Sequence, residues 1–246
     1  MLNEAEFLLW CKHLALTEQA QAAVAEIRSR NPTRRVGGGR NNVPGRYPSR
    51  KMGVTIQFES HRVELPFVYE YEHDEAVLEY YDQPPSIPLA YQAANGRSLS
   101  VMHTPDYFVI RQDSAGWEEC KASEELERLT LKSPNRYRRN PEGRWCCPPG
   151  EAHALRTGVY YRVRSSEEIN WIQQRNLQFL EDYLRFDCAS IAGFADESIK
   201  AAVRAEPGIA LSDLFERAKD VAKRDDVYLL IASGEIYVDL AAAAII

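Results

Sequence analysis

The chain has 246 residues, of which 45% are apolar and 27% charged; that is enough to bury a full core as one large domain with a small appendage, domains running to roughly 100 to 200 residues. A net charge of -6 argues against a broadly basic surface, because an acidic chain repels phosphate at long range. No apolar run is long enough for a bilayer, the opening residues lack a signal pattern, and five scattered cysteines (Cys11, Cys120, Cys146, Cys147, Cys188) without a CxxC pair read as reduced thiols. The expected location is therefore the cytoplasm.

Taken in chain order, residues 3 to 30 read as one or two helices, with Phe7, Leu8, Trp10 and Leu14 at helical spacing and Thr17 as a cap for the second. A basic arm follows. From Arg28 to Lys51 it holds Arg30, Arg34, Arg35, Arg40, Arg46 and Arg50 with no acidic residue, and its glycines and prolines predict an extended, adaptable segment. Val54, Ile56 and Phe58 alternate as a half-buried strand. Val63, Phe67 and Tyr71 predict a short helix with Pro66 in its first turn, where a missing amide hydrogen is tolerated. A strand at 77–81 ends at Gln83-Pro84-Pro85.

The middle is strand-rich, with segments at 87–91, 99–102, 107–111 and 117–121 separated by turn residues such as Asn95-Gly96, and together they read as a mixed sheet. A helix is expected at 123–131. The stretch 132–156 reads as irregular and carries a second basic cluster of Lys132, Arg136, Arg138, Arg139 and Arg144. After it come a strand at 158–163 and a helix from Ser165, whose spacing to Glu168 is that of a capping box. The last unit reads as helices at 197–205 and 211–222 and a hairpin of strands 227–232 and 235–240 about Ser233-Gly234, a small winged-helix-like domain. This gives an α/β chain in three parts: N-terminal helices and basic arm at 1–53, a core at 54–186, and the winged-helix-like domain at 195–246.

The chemistry concentrates between Pro105 and Lys121. Pro105-Asp106 precedes one strand and Glu119-Cys120-Lys121 lies on the next, a PD-(D/E)xK pattern. Alternation places Glu119 and Lys121 on one face, and antiparallel pairing brings Asp106 beside Glu119. Two carboxylates held together call for a divalent cation, and hard oxygen ligands with water positions favour Mg²⁺ or Mn²⁺. Lys121 beside it would orient or deprotonate the attacking water, or stabilise charge developing on a phosphate. A fourth acidic member belongs to the helix region before the sheet, where spacing alone leaves Glu59, Glu64, Glu70 and Glu72 open. Arg34, Arg35, Arg40, Arg46, Arg50, Lys51, Lys132, Arg136, Arg138 and Arg139 are candidate phosphate contacts, with Tyr137 beside them. His103 reads as a loop cap. His153 near Cys146 and Cys147 lacks the ligands of a tetrahedral metal site.

These residues resemble the TnsA-type endonuclease subunit of heteromeric (TnsA/TnsB) transposases. The likeness covers about residues 54 to 185 and rests on Glu64-Leu65-Pro66-Phe67, Val77 with Gln83-Pro84, Pro105-Asp106 and Glu119-Cys120-Lys121. It implies a restriction-endonuclease-like core and selects Glu64 over Glu59. It further implies catalysis by Glu64, Asp106, Glu119 and Lys121, with Mg²⁺ held by Glu64, Asp106, Glu119 and the backbone carbonyl of Cys120. The implied activity is cutting of DNA at the 5′ ends of a transposon. A DDE-type transposase would cut the 3′ ends, and an AAA+ regulator is the further implied partner. The competing readings are a restriction or repair nuclease acting without a transposase, and a DNA-end or transposase-binding module that no longer cuts.

Overall fold

Two capped helices open the chain. Asn3 and Glu6 form a reciprocal capping box for α1 (Glu4–His13), and the Thr17 hydroxyl caps α2 (Glu18–Ser29). The computed structural model describes residues 1–37, 43–185, 191 and 193–245, so Arg40 and Cys188 lie outside the described residues. The chain is a mixed α/β protein that divides into two compact units, Met1–Ile169 and Asn170–Ile246. No helix among the described residues is long and apolar enough to cross a membrane.

In the first unit, part of the basic arm is regular. Strand β1 (Gly45–Pro48) pairs antiparallel with β2 (Thr55–Phe58), contrary to the expectation of an irregular arm. Tyr47 and Ile56 are register partners whose burial anchors the hairpin against the core. Helix α3 (Glu64–His73) holds Pro66 in its first turn, as the sequence requires. Lys51 does not face solvent as a phosphate contact. Its ammonium donates to the carbonyls of Tyr71, Asp74 and Val77 at 2.6 to 2.8 Å, tying the end of α3 to the next strand.

The central sheet has four strands in the order β10 (Tyr160–Ser165), β7 (Ala115–Lys121), β6 (Tyr107–Arg111), β3 (Val77–Asp82). The β7–β10 pair is parallel and the others antiparallel. Strands β4 (Ile87–Gln92) and β5 (Ser98–His103) are not part of it. They form their own two-stranded ribbon, so the single mixed sheet expected from the sequence is two sheets. Gly116 permits the close β7–β10 approach, since a Cβ there would overlap the Tyr160 carbonyl.

Alternation along the strands builds two cores. Phe108, Ile110, Trp117, Tyr161 and Val163 pack on one face with Trp10 and Val24 of the first helices and Leu126 of α4 (Ser123–Lys132). Tyr107, Val109 and Cys120 pack on the other face with Phe67, Val68 and Tyr71 of α3. Each such buried apolar side chain stabilises by roughly 1.5 to 3 kcal/mol. The stretch expected as irregular holds short strands β8 (Arg138–Arg139) and β9 (Trp145–Cys146) and helix α5 (Pro148–Arg156), started by prolines in its first positions.

The Ser165–Glu168 capping box exists, but it caps a single 3-10 turn at Ser166–Glu168. In the second unit the long helix α6 begins at Trp171 and runs to Arg185. It packs with α7 (Gly193–Ala205), α8 (Leu211–Ala218) and α9 (Arg224–Ala232) around Leu180, Ile199, Leu214, Val227, Leu230 and Ile231. Helix α9 occupies the segment expected as the first hairpin strand, and 235–240 forms no strand. The expected wing is therefore not formed: a short apolar run, Val227 to Ala232, closes a helical core instead.

Candidate active site

Three elements, α3, the start of β6 and β7, bring the predicted acidic and basic side chains to the end of the sheet. Asp106 immediately precedes β6, and its Oδ2 accepts the Cys120 amide of β7 at 2.7 Å. Glu64 is the first residue of α3. Its Oε2 accepts the Glu59 amide at 2.8 Å and lies 3.5 Å from the Tyr107 hydroxyl. A cavity of about 360 Å³ is lined by both, with Arg34, Glu59, His103, Cys120 and Lys121. Glu70 and Glu72 are engaged elsewhere, the first with Arg164 and the second with Ser49, Tyr80 and the amides of Arg50 and Lys51. Of the four glutamates left open by spacing, only Glu59 and Glu64 line the cavity, and Glu59 pairs with Arg34 at 2.7 Å.

Glu119 is placed differently from the expectation of a three-carboxylate cluster. It is fully buried and does not line the cavity. Tyr137 donates to its Oε1 at 2.7 Å and Tyr161 to its Oε2 at 2.6 Å; Lys121 Nζ stands 3.2 Å and His103 Nε2 3.4 Å from Oε1. The reason is the pleat. Glu119 shares the face of Trp117 and Tyr161, whereas α3 with Glu64 covers the opposite face, that of Glu118 and Cys120. Among the described residues, no group of three or more His, Cys, Asp or Glu side chains converges so as to hold a metal ion.

Tyr137 is thus an internal donor and not a phosphate contact; His103, expected as a loop cap, lines the cavity and faces Glu119, and Tyr161 is a site residue that the sequence did not single out. Arg136 Nη2 lies 3.1 Å from His103 Nδ1. A guanidinium only donates, so Nδ1 accepts and the ring proton sits on Nε2, towards Glu119. Tyr161 was findable from the sheet: on β10 it shares a face with Val163, the register partner of Glu119. Of the other candidate contacts, Lys132 and Arg138 are exposed, while Arg139 stacks over Trp145 at 4.2 Å and pairs with Glu167.

Electrostatics separate the acids into two kinds. Burial and then the charge of Asp106 push Glu64 up to about 8. Burial also pushes Asp106 up to about 6, with Glu119 adding to the rise and Lys121 opposing it. For Glu119 burial acts upward too, but Lys121, His103 and Tyr161 outweigh it and hold the carboxyl well below its ordinary range. Lys121 stays a cation: burial lowers it, and Glu119 with Asp106 raises it further. Four acids line the cavity, Glu59, Glu64, Asp106 and Glu125; two of them, Glu64 and Asp106, are costly to ionise there, which fits a divalent cation. Mg²⁺ generally keeps most of its waters and needs only one or two carboxylates, the number that Glu64 and Asp106 offer at this cavity; Glu119, expected as a further ligand, does not line it.

One measurement checks this pairing. Both acids bind protons more tightly folded than unfolded, so their own contribution to metal-free stability should be full below about pH 4 and be lost as pH rises towards about 8. Relative to Glu64→Gln, wild-type thermal stability should decline across that window, and Mg²⁺ should restore more of it at the alkaline end. A flat difference between the two proteins would dismiss the pairing.

With this geometry in place, comparison with known families is informative. Residues 74–179 match the family model described as TnsA-like endonuclease N terminal. The matched range contains Asp106, Glu119 and Lys121, and Glu64 precedes it. No curated protein matches the chain. The segment that carries the sheet, the Pro105-Asp106 pair and the Glu119-Cys120-Lys121 strand is thus similar to the N-terminal domain of TnsA-like endonucleases.

Proposed function

We propose that the chain is a Mg²⁺-dependent DNA endonuclease, with Mn²⁺ as a substitute ion, that cuts the 5′ ends of a transposon while a DDE-type transposase cuts the 3′ ends. The observation that carries this reading is the cavity shared by Glu64, Asp106 and Lys121 within a TnsA-like fold. When bound there, the cation would polarise the phosphoryl oxygen and the attacking water. Glu64 and Asp106 would hold it, and the Asp106 carboxylate is itself fixed by the Cys120 amide. Lys121, held protonated by Glu119 and Asp106, is placed to stabilise the negative charge developing on the phosphate and not to abstract a proton. Glu119 positions Lys121 and His103. An AAA+ regulator would act through the assembled transposase.

The test is nicking of supercoiled DNA that carries transposon ends, with Mg²⁺, alone and with the DDE partner. The expected result is 5′-end cutting that requires the partner. Cutting of DNA without such ends and without a transposase would replace this reading with a restriction or repair nuclease. DNA binding with no cutting under any of these conditions would replace it with a silent end-binding module.

A further inference from the structure

A second cavity, of about 580 Å³, adjoins the first: Arg34 lines both. Its other walls are Asn31, Pro32, Arg35, Arg46, Thr55 and Gln57, and among the described residues no acidic side chain lines it. We propose that this groove carries the phosphodiester backbone of the DNA strand leading into the cutting cleft. The proposal rests on the nuclease reading and adds to it the path of the substrate.

Three observations support the assignment. First, the groove is built, although its basic wall comes from the arm. The Thr33 amide donates to the Gln83 carbonyl at 2.8 Å and the Thr33 hydroxyl to the Pro84 carbonyl at 3.1 Å. Arg34 Nε donates to Gln83 Oε1 at 2.6 Å, and the Val36 amide to Gln57 Oε1 at 3.1 Å. Second, the opposite wall is the exposed face of the β1–β2 hairpin. Arg46 and Gln57 are register partners there, while Tyr47 and Ile56 turn inward. Third, the positive charge is available. Arg34 is paired with Glu59, but Arg35 and Arg46 are exposed and have no acidic partner among the described residues. Guanidinium groups on two walls, with amide and hydroxyl groups between them, match a run of phosphate oxygens. Three arginines around one groove in a chain of net charge -6 select a polyanion. The junction at Arg34 aims that polyanion at Glu64 and Asp106.

The experiment compares wild type with the double variant Arg35→Ala/Arg46→Ala, using a fluorescently labelled random-sequence DNA duplex in EDTA so that cutting is absent. Affinity should fall about tenfold or more. The slope of log affinity against log salt should become shallower by about two, since each phosphate contact contributes roughly 0.9. In the assembled reaction with Mg²⁺ and the DDE partner, KM should rise while kcat at saturating DNA is retained. Thermal stability should be unchanged, both side chains being exposed. Unchanged affinity and slope in the double variant would overturn the groove, as would displacement of the duplex by inorganic phosphate at equal charge concentration. The two readings fail separately. Loss of affinity in the double variant with no cutting by wild type leaves the groove and removes the nuclease. Wild-type-like DNA binding by the double variant, with cutting abolished in Asp106→Asn, does the reverse.

Discussion

Asp106→Asn is expected to lose at least about a thousandfold in Mg²⁺-supported cutting, roughly 4 kcal/mol of transition-state stabilisation. The same substitution should make the metal-free protein more stable. Asparagine keeps an oxygen for the Cys120 amide but removes the charge that pushes Glu64 up. This opposition of effects would separate a carboxylate that serves the proposed reaction from a merely structural aspartate, which would lose stability on substitution. Lys121→Ala should lose cutting to a similar extent while still binding Mn²⁺, since the carboxylates that face the cavity remain. It should also destabilise, because buried Glu119 loses its nearest cation. Single-turnover cleavage, Mn²⁺ titration and thermal unfolding of both variants separate these outcomes. Wild-type rates in either variant would remove the assignment.

Arg164→Ala should produce the largest loss of stability in the Met1–Ile169 unit. Arg164 is almost wholly buried and bonds Glu118, Glu70 and Glu168, with its guanidinium 4.1 Å above the Phe67 ring. Glu118 is wholly buried and is held down by Arg111, Arg164, Tyr160 and Tyr71 against the upward push of burial. Removing one partner of a buried ion pair costs about 3 to 5 kcal/mol, a fall in Tm on the order of 10 °C at this size. Arg164→Lys should recover only part of that, because one ammonium cannot serve three carboxylates from a planar fork. A fall of less than about 3 °C in Arg164→Ala would show that the remaining donors suffice for Glu118.

How much of this was legible depended on the range of the signal. Period-two alternation gave the strands that carry the site, Pro66 and Thr17 marked helix starts, and Asp106 sits next to β7 as antiparallel pairing required. These are local rules. The fourth acid was not local: spacing left Glu59, Glu64, Glu70 and Glu72 equal, and only the packing of α3 against β3 and β7 distinguishes them. The role of Glu119 was hidden for the same reason. Alternation correctly put it with Lys121, but which face α3 covers is a tertiary fact, and it separates Glu119 from Glu64. Tyr137 and Tyr161, its donors, lie 18 and 42 residues away. The hairpin expected near the end failed because Val227 to Ala232 is apolar, short and rich in branched side chains, a pattern that helix and strand share. Its helix is decided by the partners it buries with α6.

Strand β7 carries two adjacent glutamates that point to opposite sides, and each is surrounded by four donors: Glu118 by Arg111, Arg164, Tyr71 and Tyr160, and Glu119 by Lys121, His103, Tyr137 and Tyr161. The strand is thereby gripped like a blade in a vice. Freezing those rotamers costs entropy, and the cost falls on folding and not on the encounter with substrate. On the proposed nuclease reading, Lys121 would therefore stand in position before any phosphate arrives. What the protein gives up is adjustability: a substrate whose backbone does not fit this fixed geometry must itself bend.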